Sequence, residues 1–208
     1  MKIIAVNGSP RNNWNTQILL DKALEGAKSA GAQTELVNLY DLNYKGCRSC
    51  FACKVKGSKN LGHCAINDEL KPVLEKIDSC DGLILGSPIY FGDISAMMRA
   101  FLERLFYQYL NFDGGKSFFT GHLKTAFIYT MNAPAGCMNQ LYEKYEEMLK
   151  WYFEYAGTVE SAETLQTDDY GRYHFGMFDE AQRKERRKTE FPKDCQKACE
   201  LGKKIADI

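Results

Sequence analysis

The chain has 208 residues, 27 Lys plus Arg against 27 Asp plus Glu, and 45% hydrophobic residues. That length suits one α/β domain with insertions and a sizeable core. The balanced charge gives no field favouring nucleic acid or an anionic membrane, no apolar run approaches the roughly 20 residues of a membrane span, and Met1-Lys2 leads straight into a short strand, so a small-molecule partner and a cytoplasmic location are expected.

In chain order, Ile3-Ile4-Ala5-Val6 mark a first strand over 2–7, which stops at Asn7-Gly8-Ser9-Pro10-Arg11-Asn12-Asn13-Trp14-Asn15-Thr16. A helix over 15–30 follows, with Ile18, Leu19, Ala23, Leu24 and Ala27 on one face and Gly31 at its end. Strand, loop and helix start together aim unpaired N–H groups and the positive end of a helix dipole at an anion. The hydroxyls of Ser9 and Thr16, the amides of Asn12, Asn13 and Asn15, and the Arg11 guanidinium suit one terminal phosphate. Gly8 stands alone, which excludes a nucleoside-triphosphate loop and a three-glycine dinucleotide fingerprint. A mononucleotide site at the carboxyl ends of the first and third strands remains, although the same residues also make ordinary turns and caps.

A second strand is expected at 33–39, then a polar insertion rich in glycine and cysteine over 44–65, then a helix capped by Asn67 or Asp68 and running to about 79. The third strand, 82–86, runs into Ser87-Pro88-Ile89-Tyr90-Phe91-Gly92-Asp93 and a helix over 95–109. The fourth, 125–131, ends in Asn132-Ala133-Pro134-Ala135-Gly136-Cys137. A helix over 139–156, a fifth strand over 158–163 and a tail helical from about 179 complete the pattern. Five strands joined by helices give an α/β class with a doubly wound parallel sheet. Its second and third loops lie where a planar ring would rest, and Ile89 to Gly92 offer backbone N–H groups, an aromatic ring and close approach. Turn chemistry alone also accounts for Pro88 and Gly92.

The Gly8-Ser9-Pro10-Arg11 to Asn15-Thr16 loop, the Lys45-Gly46-Cys47-Arg48-Ser49-Cys50-Phe51-Ala52-Cys53 insertion and the Gly86 to Gly92 loop resemble the NADPH-dependent FMN reductase superfamily, especially its iron–sulfur flavoprotein branch. The resemblance covers most of residues 1–165. It implies a flavodoxin-like five-stranded fold, FMN as prosthetic group, NAD(P)H as electron donor, and a homodimer or dimer of dimers with the flavin near a subunit interface. By position it implies that Ser9, Arg11, Asn15 and Thr16 hold the phosphate, that Pro88, Ile89, Tyr90, Phe91 and Gly92 hold the ring, and that Thr130, Asn132, Ala133 and Pro134 close the far side. Residues 1–165 are read as the FMN-binding domain with its insertion at 44–65, and 166–208 as a partly helical extension to which the resemblance does not reach.

Cys47, Cys50 and Cys53 are spaced three apart, and Cys64 supplies a fourth thiol, a set able to wrap a 4Fe-4S iron–sulfur cluster. Lys45, Arg48, Lys54, Lys56 and Lys59 would offset its negative charge. The ten residues between Cys53 and Cys64 exceed the usual gap of the iron–sulfur branch. Zinc, free thiols, a redox-active pair and a relic loop without metal stand as alternatives. His63 reads as an exposed loop residue, His122 and His174 carry no functional reading, and Cys80, Cys195 and Cys199 read as core or helix-surface thiols, while Cys137 lies close to the third loop. The broad apolar stripes of 95–109 and 139–156 fit either core packing or a subunit interface. The basic run Arg183, Lys184, Arg186, Arg187, Lys188 reads as a solvated helix. The expected function is transfer of a hydride from NAD(P)H to flavin and onward to an acceptor. A non-enzymatic flavodoxin-type electron carrier and a cofactor-free, zinc-stapled interaction module are the alternatives.

Overall fold

A computed structural model describes residues 1–115 and 117–207. β1 (Lys2–Asn7), β2 (Gln33–Asn38), β3 (Gly82–Tyr90), β5 (Lys124–Thr130) and β6 (Glu154–Ser161) form a parallel sheet in the order β2-β1-β3-β5-β6. The two-residue β4 (Asp93–Ile94) folds back antiparallel on the end of β3. The strand interiors are apolar on both faces because helices cover both. Ile3, Ala5, Ile84, Ala126 and Ile128 point towards α1 (Asn15–Ser29) and α6 (Phe191–Ala206). Ile4, Val6, Leu83, Leu85, Phe127 and Tyr129 point towards α2 (Lys71–Ile77), α3 (Ala96–Tyr109) and α4 (Asn139–Tyr152). The period of two along each strand thus sorts residues between two cores.

Four details depart from the sequence expectation. β3 continues through Pro88, paired with Thr130, to Tyr90, then turns at Phe91 (φ 51°) and Gly92 (φ 78°). Two left-handed residues between paired Tyr90 and Asp93 make the tight hairpin turn whose twist matches the strands. α2 starts at Lys71 after Leu70, and Asp68 accepts from the Leu70 N–H at 3.2 Å and binds Arg104 instead of capping the helix. α4 ends at Tyr152 because Phe153 is extended and Glu154 N–H donates to the Leu123 carbonyl at 3.1 Å, so β6 begins four residues before the expected 158. The tail holds two helices, α5 (Glu180–Thr189) and α6, with Pro192 in the first turn of α6.

α6 lies against α1 at backbone distance. A Cβ on Gly202 would sit 1.8 Å from the Ala23 carbonyl oxygen, and one on Gly26 would sit 2.0 Å from that of Cys199. Ala198, Leu201 and Ile205 share the core of Leu19, Ala23 and Ala27, so the region past 165 contributes a full helix to the sheet's covering. Much of the apolar stripe on α3 and α4 also turns inward: Phe101, Leu105, Tyr109 and Tyr145 are buried, whereas Trp151 is 74% exposed. No helix among the described residues is long and apolar enough to cross a membrane.

Candidate functional site

A cavity of about 180 Å³ opens at the carboxyl edge of β1, β3, β5 and β6. It is bounded by Ser9, Arg11, Trp14, Asn15 and Thr16 after β1, by Pro88, Ile89 and Tyr90 ending β3, by Thr130, Met131 and Asn132 after β5, and by Thr164, Leu165 and Gln166 after β6. Nine of the expected residues therefore meet in one place. Phe91, Gly92, Ala133 and Pro134 are outside this wall: Phe91 is fully exposed at the hairpin tip, Gly92 faces a neighbouring groove with Cys137, and Pro134 is exposed.

The first loop is held by its own polar groups. Gly8 N–H donates to Gly86 O at 2.7 Å, Ser95 Oγ donates to Gly8 O at 2.6 Å, and Ser9 N–H donates to Asn7 Oδ1 at 3.0 Å. A Cβ at position 8 would come 2.7 Å from Met98 Cβ, so only glycine lets the loop lie this close to α3. Thr16 Oγ1 and Thr130 Oγ1 share a buried hydrogen bond of 2.7 Å, which fixes the first loop to the third.

The N-terminus of α1 has no side-chain cap and no acidic residue in its first turn. It shares this with α2 and α4 and differs from α3 and α5, which Ser95 and Asp179 cap; what sets α1 apart is that its start opens on the cavity. Uncapped first-turn N–H groups and their dipole are left for an anion. Arg11 stacks on Trp14 at 4.2 Å and donates to Gln166 O at 2.6 Å. Asn15 Nδ2 and Trp14 Nε1 donate to Leu165 O at 2.9 and 3.2 Å. Across the cavity, Asn132 Oδ1 is buried with no hydrogen-bond partner. Burial raises the Tyr90 hydroxyl above its ordinary range. Burial also pushes the Asp93 carboxyl up, but hydrogen bonds from Tyr145, the Ile94 N–H and Lys144 outweigh it and hold the group low.

Sequence reasoning missed Trp14 as a wall residue and the wall after β6. The last was open to inference, because ligands gather at the carboxyl ends of parallel strands and β6 ends here too. It also missed α5. Arg183 is 7% exposed, donates to Glu163 Oε1 at 2.9 Å and to Asn132 O at 3.1 Å, and leaves Nε without a partner. Arg186 reaches buried Asp194, and Arg187 donates to Asn15 Oδ1 at 2.9 Å. Three members of the supposedly solvated basic run thus turn inward.

A second constellation lies in the insertion. Cys47, Cys50, Cys53 and Cys64 line one small cavity with Arg104 and Gln108 of α3. Ser49 (φ 52°) and Phe51 (φ 57°) are left-handed and curl the loop back between the cysteines. The long gap before Cys64 is looped out, because Gly62 N–H donates to Cys53 O at 3.0 Å. Arg104 clamps both ends of the insertion, donating to Lys45 O at 3.3 Å and Ile66 O at 3.4 Å while pairing with Asp68. Gln108 Oε1 accepts from the Cys64 N–H at 3.0 Å. Each side chain then has one buried donor left over at this cavity, Arg104 Nε and Gln108 Nε2, with no partner. Burial raises the Cys53 thiol, whereas a hydrogen bond from the Ala52 backbone and the nearby Arg48 lower that of Cys50. No group of three or more His, Cys, Asp or Glu among the described residues is arranged to hold a metal ion. His63 pairs with Asp78 at 3.0 Å.

The family pattern described as NADPH-dependent FMN reductase matches residues 1–153. An iron-sulfur flavoprotein of Methanocaldococcus jannaschii is 38% identical over 104 residues, 50% of this chain and 51% of that protein. One from Archaeoglobus fulgidus is 36% identical over 104 residues, 50% of this chain and 48% of that protein. The chain thus spans about half the length of the relatives it matches. An NAD(P)H:quinone oxidoreductase from Methanothermobacter marburgensis superposes with a TM-score of 0.69 at 13% identity, covering 100% of this chain and 98% of the other, a likeness of fold.

Proposed function

Because the chain belongs to the NADPH-dependent FMN reductase family, we propose that it binds FMN at the carboxyl edge of the sheet and acts as an NAD(P)H-dependent flavin oxidoreductase of the iron–sulfur type. The observation that carries the reading is the uncapped, acid-free start of α1 among Ser9, Arg11, Asn15 and Thr16. Those residues fit a phosphate, and the orphaned Asn132 Oδ1 fits an N–H or hydroxyl donor of the same ligand. FMN, when bound, supplies a carrier that takes a hydride from a nicotinamide.

The protein's part is placement. Thr16 and Thr130 hold two walls together, and Pro88, Ile89 and Tyr90 present the end of β3 to the ring. Phe91 and Gly92 lie at the rim, where an exposed aromatic side chain can cover a flat ligand from outside. Ala133 O accepts from Glu163 N–H at 3.1 Å and so fixes the third loop to the fourth. No side chain is required to move a proton.

Cys47, Cys50, Cys53 and Cys64 would hold a 4Fe-4S cluster, a single-electron relay to an acceptor. Support comes from the cavity they share and from the two unpartnered N–H donors beside it, which suit a buried anionic sulfur group. A homodimer or dimer of dimers is proposed with this reading, since Trp151 and Phe112 remain exposed on the α3–α4 side.

The test is the visible spectrum of anaerobically purified protein before and after mild oxidation, with steady-state NADH and NADPH oxidation. Flavin bands over a brown shoulder that bleaches, with turnover, support the whole reading. Flavin bands alone remove the cluster, flavin without turnover leaves an electron carrier, and colourless protein that takes up no FMN overturns the proposal.

A further inference from the structure

We propose that α5, which lies beyond the matched residues 1–153, braces the cofactor site from behind its lining residues, and that its Arg187 is the positioning residue by which the site selects a phosphorylated flavin over riboflavin. The inference rests on the FMN reading above and adds a second cation to it.

Arg183 and Arg187 are one helical turn apart and share a face of α5. Arg183 holds the third and fourth loops through Asn132 O and Glu163. Arg187 holds the first through Asn15, whose side chain is buried at the start of α1 with Oδ1 towards Arg187 and Nδ2 towards Leu165 O. One helix therefore fixes three of the four cavity walls.

The charge arrangement gives the function. Arg187 is half-buried, lies 3.9 Å over the Phe191 ring and shares Trp14 with Arg11, the two guanidinium groups lying 5.9 and 4.2 Å from that ring. Neither arginine has a carboxylate in ion-pair contact among the described residues; Asp168 acts on Arg187 only from a distance. Two cations with no ion-pair partner thus lie on the one Trp14 ring beside the positive end of a helix dipole. Like charges gathered in a partly desolvated place are unfavourable unless an anion joins them. A phosphate dianion supplies that anion; the hydroxyl end of riboflavin does not. Arg187 acts through space and through the orientation of Asn15.

The test uses apoprotein titrated with FMN and with riboflavin, read by quenching of flavin fluorescence, for wild type, Arg187→Gln and Arg187→Lys. Melting curves of each apoprotein with and without inorganic phosphate are recorded alongside. Expected is about a tenfold weakening of FMN binding in Arg187→Gln, with riboflavin affinity within twofold of wild type. Arg187→Lys recovers most of the loss, and stabilisation by phosphate shrinks in Arg187→Gln alone. Equal weakening for both flavins, or no change for either, overturns the role of Arg187 while the FMN reading stands. Wild-type protein that binds FMN no better than riboflavin overturns both. If Arg187→Gln does not fold, Arg187→Met takes its place under the same criteria: FMN binding weakened with riboflavin binding kept supports the role of charge, and equal change or no change in the two overturns it.

Discussion

Replacing Gly202 by alanine tests whether α6 is fastened to α1 at backbone distance. The new Cβ would lie 1.8 Å from the Ala23 carbonyl oxygen and 2.6 Å from its carbon. Ordinary contact needs more than 3.4 Å, so the helices must separate by well over an ångström, and neither side offers a flexible side chain to yield. Overpacking against rigid surroundings costs up to about 3 kcal/mol. Alanine regains about 1 kcal/mol of helix propensity, leaving a net loss of roughly 2 kcal/mol. For a chain of this size that corresponds to a fall of about 4–8 °C in Tm. Gly176→Ala is the control, because nothing lies within 4 Å of its Cβ, and it should stay within about 0.5 kcal/mol of wild type. Urea and thermal unfolding of both variants give the comparison. A Gly202→Ala protein as stable as wild type, or more so, would mean that propensity acts unopposed and the helices do not touch.

Thr16→Val leaves the Thr130 hydroxyl buried and unpaired, and should cost about 1–3 kcal/mol in denaturant unfolding, whereas valine at both positions should recover much of that loss; a double variant worse than the sum of the singles refutes the pairing. Gln108→Leu removes both the acceptor for the Cys64 N–H and the spare donor at the cysteine cavity, so anaerobically prepared variant should hold less iron per chain than wild type, with FMN content unchanged. Equal iron in the two proteins counts against that role. Burial pushes the Cys80 thiol and the Tyr155 hydroxyl each up to about 12, above their ordinary values near 9 and 10. The unfolded chain releases these protons first as pH rises, so stability is flat below about pH 9 and falls from there to about pH 12, by up to about 4 kcal/mol for Cys80 alone. Urea midpoints independent of pH over that window would contradict the burial of both groups.

The strands and most helices were legible because apolar runs such as Ile3 to Val6 and Gly82 to Leu85 carry their own period and length. The course of β3 past residue 86 was not. Pro88 reads as a strand breaker, yet as the last-but-two residue of the strand its missing donor matters little. The Phe91-Gly92 turn was hidden for a related reason, since phenylalanine seldom adopts positive φ. At the candidate site, the first loop was legible through donor chemistry within ten residues of chain. The contacts of Arg11 with Gln166 and of Asn15 with Arg187 join positions more than 150 residues apart, and no local pattern encodes them. The cysteine spacing was equally plain. Arg104 and Gln108 were not, because alongside Arg99 and Glu103 on the same helix they look like any surface polar residues until the insertion is seen folded over them.

The glycine contact between α1 and α6 also orders events in time. During synthesis, α1 leaves the ribosome while its partner is still some 170 residues from being made, a wait of about 10–40 s at 5–20 residues per second. Throughout it, α1 packs on β1, β2 and β3 as they form, but the part of that core which α6 completes stays open. A nascent chain of this kind keeps an apolar seam open to aggregation and to proteases, and the first loop, which is bonded to Gly86, Ser95 and Thr130, is held only once β3, α3 and β5 have been made. Ligand present during synthesis would find its loop but no settled site.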